Sequence, residues 1–221
     1  MQNVPGIVID NFYSDPDRVR EWALQQEFTR EGEGAWPGKR TKPLDILDPY
    51  FYQQFVNKIF SVFMPVEHDI DAQVQTMFQL IPNFEDDPKS PKNVGWIHDD
   101  DDTLFAGVVF LSPNIDLDCG TSLFSLEDET KIDKTDAKKE FFSNGNDLNY
   151  DSAITTHNSA YAETVRFQNV YNRCIIFDHT CFHGVNSFYN SQGQDRLTQV
   201  FFVDQVNMDV PPPISRHRNF L

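Results

Sequence analysis

The apolar positions of the chain follow one period up to about residue 70 and another beyond it. Residues 4–12 alternate enough to predict a short strand. Ser14-Asp15-Pro16-Asp17 then offers a capping residue and an early proline, the start signal of a helix expected to run to about Phe28. Within it Val19, Trp22 and Ala23 fall at i, i+3 and i+4 and form one apolar face. Residues 29–43 are rich in Gly and Pro and predict a loop. Asp48-Pro49 opens a second helix whose Phe51, Phe55, Ile59 and Phe63 recur at helical spacing. Residues 1–70 are thus expected to be helical support for a core further along the chain.

From Ala72 the period is that of strands. Residues 72–81, 104–111, 122–126, 165–170, 173–177, 182–188 and 197–203 are enriched in β-branched and aromatic side chains. Strands in this number, without helices alternating between them, predict a mostly β fold with supporting helices: an antiparallel sandwich or barrel. Residues 127–160 break the pattern with charged and small polar side chains and one helix near residues 131–142, so they are expected to be an insertion on a β core spanning 72–206. Residues 207–221, with Pro211-Pro212-Pro213, predict an extended tail. A chain of 221 residues accommodates all of this as a single domain, 1–221.

Charge narrows the partners. The formal net charge of -16 opposes phosphate backbones, and the basic stretch Lys39-Arg40-Thr41-Lys42 beside Trp36 is too short to reverse that, so no nucleic-acid partner is expected. No apolar run approaches the ~18 residues of a membrane span, and the N-terminus lacks the order of a secretory signal. Three cysteines, Cys119, Cys174 and Cys181, have no CxxC spacing and suit a reducing compartment, so a soluble cytoplasmic protein is expected.

The candidate chemistry begins at Trp96-Ile97-His98, which runs into four consecutive aspartates, Asp99 to Asp102. Adjacent carboxylates repel one another, so the cluster is either a solvated acidic turn or a cation site. On an extended backbone His98 and Asp100 leave the same face and can reach one cation together. Further on, a β run ends near two more histidines, His179 and His183, and after a turn at 190–194 the last strand opens with Arg196 and Thr198 on one face. Among the other acidic and basic candidates, Asp116-Leu117-Asp118 lacks the spacing of a calcium loop, and His68, His157 and His217 read as ordinary loop histidines.

In this order H-x-D, a distal H and R-x-T resemble the 2-oxoglutarate and Fe(II)-dependent oxygenase superfamily. Phe105 to Pro113 followed by Cys119-Gly120-Thr121-Ser122-Leu123-Phe124 is similar to its prolyl-hydroxylase-like branch, as is the spacing from Phe177 to His183. The stretch Trp36-Pro37-Gly38-Lys39-Arg40-Thr41 resembles one found in that branch, phage-encoded members included. The resemblance covers residues 76–203 and implies a double-stranded β-helix, the jelly-roll or cupin-like architecture.

It implies His98, Asp100 and His183 as ligands of Fe(II), with three positions open on the metal. Two of these would take 2-oxoglutarate and the third O2; Arg196 would hold the far carboxylate of the cosubstrate bidentately, and Thr198 would add a hydroxyl. The implied reaction hydroxylates an unidentified protein, peptide or small-molecule substrate and releases succinate and CO2. His179 competes with His183, and Asp99, Asp101 and Asp102 compete with Asp100; family spacing and the Gly-Val after His183 favour the first-named set. Gln79 lies on a strand where the family often contacts cosubstrate and stays outside that set. Substrate choice is expected in residues 32–42 and 127–160, while residues 83–93 form either a lid or plain surface. The competing readings are a metal-binding β-barrel without turnover, which needs no Arg196, and a structural jelly roll, in which the three ligands do not converge.

Overall fold

A computed structural model describes residues 6–30, 34–63, 70–100, 103–146 and 148–207. The first strand, β1 (Gly6–Ile9), leads to α1 (Pro16–Leu24), where the Asp15 side chain accepts a hydrogen bond from the Arg18 N–H at 3.1 Å and Pro16 occupies the first turn. A two-residue strand, β2 (Lys39–Arg40), and a single helical turn, α2 (Leu44–Leu47), lie in and beside the segment expected to be a loop. The second expected helix, α3 (Pro49–Phe63), starts where its signal lies: Asp48 Oδ1 accepts from the N–H groups of Tyr50 and Phe51 at 3.0 and 2.9 Å.

The β core comprises β3 (Asp71–Ile81), β4 (Phe105–Phe110), β5 (Thr121–Leu126), β6 (Tyr161–Phe167), β7 (Cys174–Asp178), β8 (Phe182–Val185) and β9 (Arg196–Asn207). They form an antiparallel sheet of six strands, in the order β1-β7-β4-β9-β3-β2, and one of three, β6-β5-β8. Alternation along the central strands assigns their two faces. Phe105 and Val109 of β4, Cys174 and Ile176 of β7 and Phe201 of β9 turn outward and bury the helices through Ala23, Phe55, Ile59 and Phe60. Ring contacts such as Phe55 to Phe201 at 5.3 Å and Trp22 to Phe78 at 5.4 Å lock that layer. Ala106, Phe110, Ile175 and Phe177 turn inward and meet Leu123 and Phe167 of the smaller sheet. The two helices therefore pack on the larger sheet and the site lies between the sheets, the expected jelly-roll arrangement.

Several boundaries differ from expectation. The first helix stops at Leu24, β6 begins at Tyr161, and β8 ends at Val185, while β9 continues to Asn207. The insertion holds two helices, α4 (Ala137–Asn144) and α5 (Tyr150–Asn158), rather than one. Their Ala137, Phe142, Tyr150 and Ile154 gather around Trp96 and Phe84, so the segment has its own small core against the site. Residues 83–93 are pinned rather than free: the Asn93 side chain is fully buried, accepts from the Phe84 and Glu85 N–H groups, and donates to the Glu85 and Asp87 carbonyls. His157 is no loop histidine but a buried residue of α5. The Asp116-Leu117-Asp118 turn carries partners too: Asp116 accepts from Ser191, and Asp118 faces Arg166 at 3.1 Å. His68, His217, Asp101, Asp102 and the tail from 208 lie outside the described residues.

Candidate metal and cosubstrate site

Residues 95–98 run alongside β8 without forming a regular strand. Gly95 N donates to Val185 O at 2.8 Å, and His98 and His183 exchange backbone hydrogen bonds at 3.0 and 2.7 Å. This pairing sets the two imidazoles side by side, with ring centres 4.5 Å apart. One residue beyond Asp99, the Asp100 carboxylate reaches the same point, 4.0 Å from His98 Nε2 and 3.5 Å from His183 Nε2. One ligand atom from each of the three lies within 4.8 Å of the others, a set that can hold a cation.

The second nitrogen of each ring fixes its orientation. His98 Nδ1 lies 2.8 Å from Trp96 O and His183 Nδ1 lies 3.0 Å from Cys181 O. A carbonyl only accepts, so both Nδ1 atoms carry a proton and both Nε2 atoms face Asp100. The His98 ring opens onto a cavity yet is enclosed by protein; that burial, followed by the nearby Lys138, His183 and Arg40 side chains, pushes its pKa well below the usual imidazole value. At neutral pH the ring is uncharged and free to ligate. Asp100 Oδ2 is buried without a hydrogen-bond partner. An orphaned carboxylate oxygen facing two imidazole Nε2 atoms is what a bound cation would satisfy.

The cavity has a volume of about 310 Å³ and reaches from the triad to Arg196 at the start of β9. Arg196 is 2% exposed; its Nε donates to Cys119 O at 2.7 Å and its guanidinium lies 5.5 Å from the Phe110 ring. Nη2 is buried with no partner, and burial lowers the pKa to about 10, so the group remains charged. A buried guanidinium with an unused donor, facing a cavity, fits an anion. Thr198 shares that face of β9 and is fully buried with an orphaned hydroxyl, although it does not itself line the cavity. Thr121, at the head of β5, also presents an orphaned hydroxyl to it.

His179 stands apart from the triad, its Nδ1 3.2 Å from Leu104 O, and Asp99 is not in the cluster either. Besides Thr121, several polar or aromatic lining residues escaped sequence reasoning or were left outside its site. Gln79, opposite Thr198 in register, donates to Pro37 O at 2.7 Å; Trp36 and Arg40 come from the predicted loop, and Lys138 from α4. The only sequence signal for Arg40 was the small basic cluster beside Trp36. Lys138 gave none.

Two facing antiparallel sheets, with two imidazoles, a carboxylate and a buried arginine gathered at one cavity between them, define a double-stranded β-helix with a His-Asp-His set that could hold a cation. Similar solved structures have this fold. HygX from Streptomyces hygroscopicus, solved with nickel and 2-oxoglutarate bound, is 12% identical, with a TM-score of 0.55 over 91% of this chain and 83% of its own. A prolyl hydroxylase from Trichoplax adhaerens, in complex with a hypoxia inducible factor peptide fragment, is 14% identical, with a TM-score of 0.54 over 90% and 83%. SnoN, an alpha-ketoglutarate-dependent epimerase from nogalamycin biosynthesis, is 13% identical, with a TM-score of 0.51 over 96% and 83%. Residues 1–202 match DUF6445, a family of unknown function, and the chain belongs to that family. No curated protein matches it.

Proposed function

We propose that this protein is an Fe(II)- and 2-oxoglutarate-dependent hydroxylase. The observation that carries the reading is the presence, in one cavity, of a bare His-Asp-His set and of a buried guanidinium with an unused donor. His98, Asp100 and His183 would hold the metal, their tautomers fixed by Trp96 and Cys181 carbonyls. Arg196 would hold the distal carboxylate of the cosubstrate, with Thr198 close on the same strand face. Together the bound metal and cosubstrate supply the oxidising power that couples conversion of 2-oxoglutarate to succinate and CO2 with hydroxylation of a substrate C–H bond by O2. The chain's own contribution is to orient the ligands, to neutralise a buried dianion, and to shield the site with the apolar walls Phe177, Val200 and Phe202.

The substrate is a protein, a peptide or a small molecule. HygX has been solved with hygromycin B and the Trichoplax enzyme with a peptide, so this fold serves both. The test separates the metal from the cosubstrate. His98→Ala, Asp100→Ala and His183→Ala are each expected to abolish metal binding and succinate release together. Arg196→Ala is expected to keep the metal and weaken 2-oxoglutarate by about tenfold to a hundredfold, the worth of one charged hydrogen-bonded pair. Arg196→Lys recovers part of that loss, and His179→Ala keeps the metal. Metal titration and calorimetry with 2-oxoglutarate measure all six; unchanged cosubstrate affinity in Arg196→Ala would favour a metal-binding barrel without turnover.

A further inference from the structure

The cavity holds more positive charge than the proposed metal and cosubstrate require, and this in a chain whose net charge is -16. Arg40, from the edge strand β2, and Lys138, from α4, line the same cavity as the triad, and neither sits on β8 or β9, the strands of His183 and Arg196. The Arg40 guanidinium lies 4.5 Å from the Trp36 ring and 5.8 Å from the Phe202 ring, which fixes its plane. Its Nε is buried with no hydrogen-bond partner. Among the described residues neither Arg40 nor Lys138 makes an ion pair within 4.0 Å. Both feel Asp100, and Lys138 also feels Asp99. Arg30 adds further positive charge beside Arg40; it braces the loop under it, donating to the Gly38 and Gly34 carbonyls at 2.9 and 3.4 Å.

The balance of charge decides what these cations are for, given the function proposed for the site. With a divalent metal in place the Asp100 charge is taken up, and the two negative charges of 2-oxoglutarate are matched by the rest of the metal charge and by Arg196. Asp99 offsets Lys138. Among the described residues Arg40, with Arg30 next to it, is then left without an opposite charge in a partly desolvated cavity, which is costly unless a ligand brings one.

We propose that the prime substrate is anionic and is held by a carboxylate or phosphate group placed between Arg40 and Lys138, at the triad end of the cavity. Arg40 supplies a planar fork over the Trp36 ring, and Lys138 supplies a point charge from α4. A cavity of about 310 Å³ has room for one side chain or a small molecule. The surrounding acidic surface repels anions in general, so the local positive field both admits this group and aligns the C–H bond next to it.

The experiment uses the full chain loaded with Ni(II) and 2-oxoglutarate, titrated calorimetrically with four capped amino-acid amides: glutamate, phosphoserine, glutamine and lysine. An anionic probe is expected to bind about tenfold or more tighter than glutamine, with lysine excluded, as a charged hydrogen bond predicts. The better of glutamate and phosphoserine identifies the group. Arg40→Gln and Lys138→Gln are each expected to weaken the anionic probe by about tenfold, Arg40→Lys by less, with Ni(II) and 2-oxoglutarate affinities unchanged. Lys138→Gln keeps the test decisive should Arg40→Gln unfold, since α4 packs through other residues. Equal binding of glutamine, no binding of either anion, or an Arg40→Gln protein that loses 2-oxoglutarate as Arg196→Ala does would each overturn the proposal. Failure of the unmodified protein to bind metal and 2-oxoglutarate would instead count against the functional reading; the same probes on metal-free protein would then test Arg40-dependent anion binding separately.

Discussion

His157 ties the insertion to the metal site through two hydrogen bonds of opposite sense. Its Nε2 lies 2.8 Å from Ile97 O and so carries the proton, while its Nδ1 accepts from the Asp133 N–H at 3.0 Å. The ring also packs against Trp96, with centres 4.9 Å apart. Only the neutral ring satisfies both partners, and burial, the largest cause, lowers its pKa from 6.5. The unfolded chain therefore binds a proton that the native ring resists. Stability linked to this residue is complete above the unfolded pKa of about 6.5 and falls as pH drops below it. Urea unfolding of wild type and His157→Gln between pH 5 and pH 8 is expected to show the steeper acid loss in wild type; parallel curves would contradict it. At pH 7.5 His157→Ala should cost about 2–4 kcal/mol for the orphaned Ile97 and Asp133 groups and the lost packing. No local pattern signals this role, because a lone histidine in a polar stretch reads alike in a loop and in a helix. His98 with Asp100, and Arg196 with Thr198, were legible as candidates because alternate positions of an extended backbone share a face, whereas His183 was preferred to His179 only through the family resemblance.

At the scale of elements, sequence pattern exposed those with a strong period or a clear start signal. The strands β4 and β7 are buried on both faces and show as unbroken apolar runs, and α1 and α3 carry acidic caps and prolines. The missed elements, β2, α2 and α5, are short or weakly amphipathic, and tertiary contacts make them. For β2 the maker is a turn. Gly38 has φ +72 and a Cβ placed there would stand 2.2 Å from Leu80 O, so the backbone can reach the edge of β3 only without a side chain. Gly38→Ala is expected to cost about 1–3 kcal/mol through the left-handed conformation and the clash with that carbonyl. Since Arg40 comes two residues later, the same variant should also lose anion affinity while retaining 2-oxoglutarate, which Arg196 on β9 holds independently. Thermal unfolding and the two titrations check this; a full-stability Gly38→Ala protein would mean the turn relaxes at no cost.

Across the whole molecule, the helices, the larger sheet and the cavity form successive layers, so disturbance of the outer layer should be felt at the strands that carry the site. The three cysteines report on this. None is in a disulfide and all are buried; Cys174 lies in the layer between helices and sheet, whereas Cys119 precedes β5 and Cys181 lies between β7 and β8. Burial raises the Cys119 thiol to about 11 and the Cys174 thiol further, so in the native state neither offers appreciable thiolate at pH 8. Labelling of the native protein with a thiolate-directed reagent should therefore be slow and proceed through opening, and denaturant should complete it. Phe55 is 2% exposed and its ring meets Phe12 at 6.0 Å and Phe201 at 5.3 Å, so Phe55→Ala leaves a cavity beside Cys174 at a cost of about 3–5 kcal/mol. If opening and closing are fast relative to labelling, a loss of about 3 kcal/mol raises the Cys174 labelling rate by roughly a hundredfold. Peptide mapping of the labelled protein reads Cys174 separately from Cys181. An equal acceleration at both sites would mean that the helical layer and the sheets open as one cooperative unit; acceleration confined to Cys174 would mean that the helices detach while the site between the sheets stays closed. Because the helical layer packs on the inward strands' own backbone, through β4, β7 and β9, the equal acceleration is the expected result.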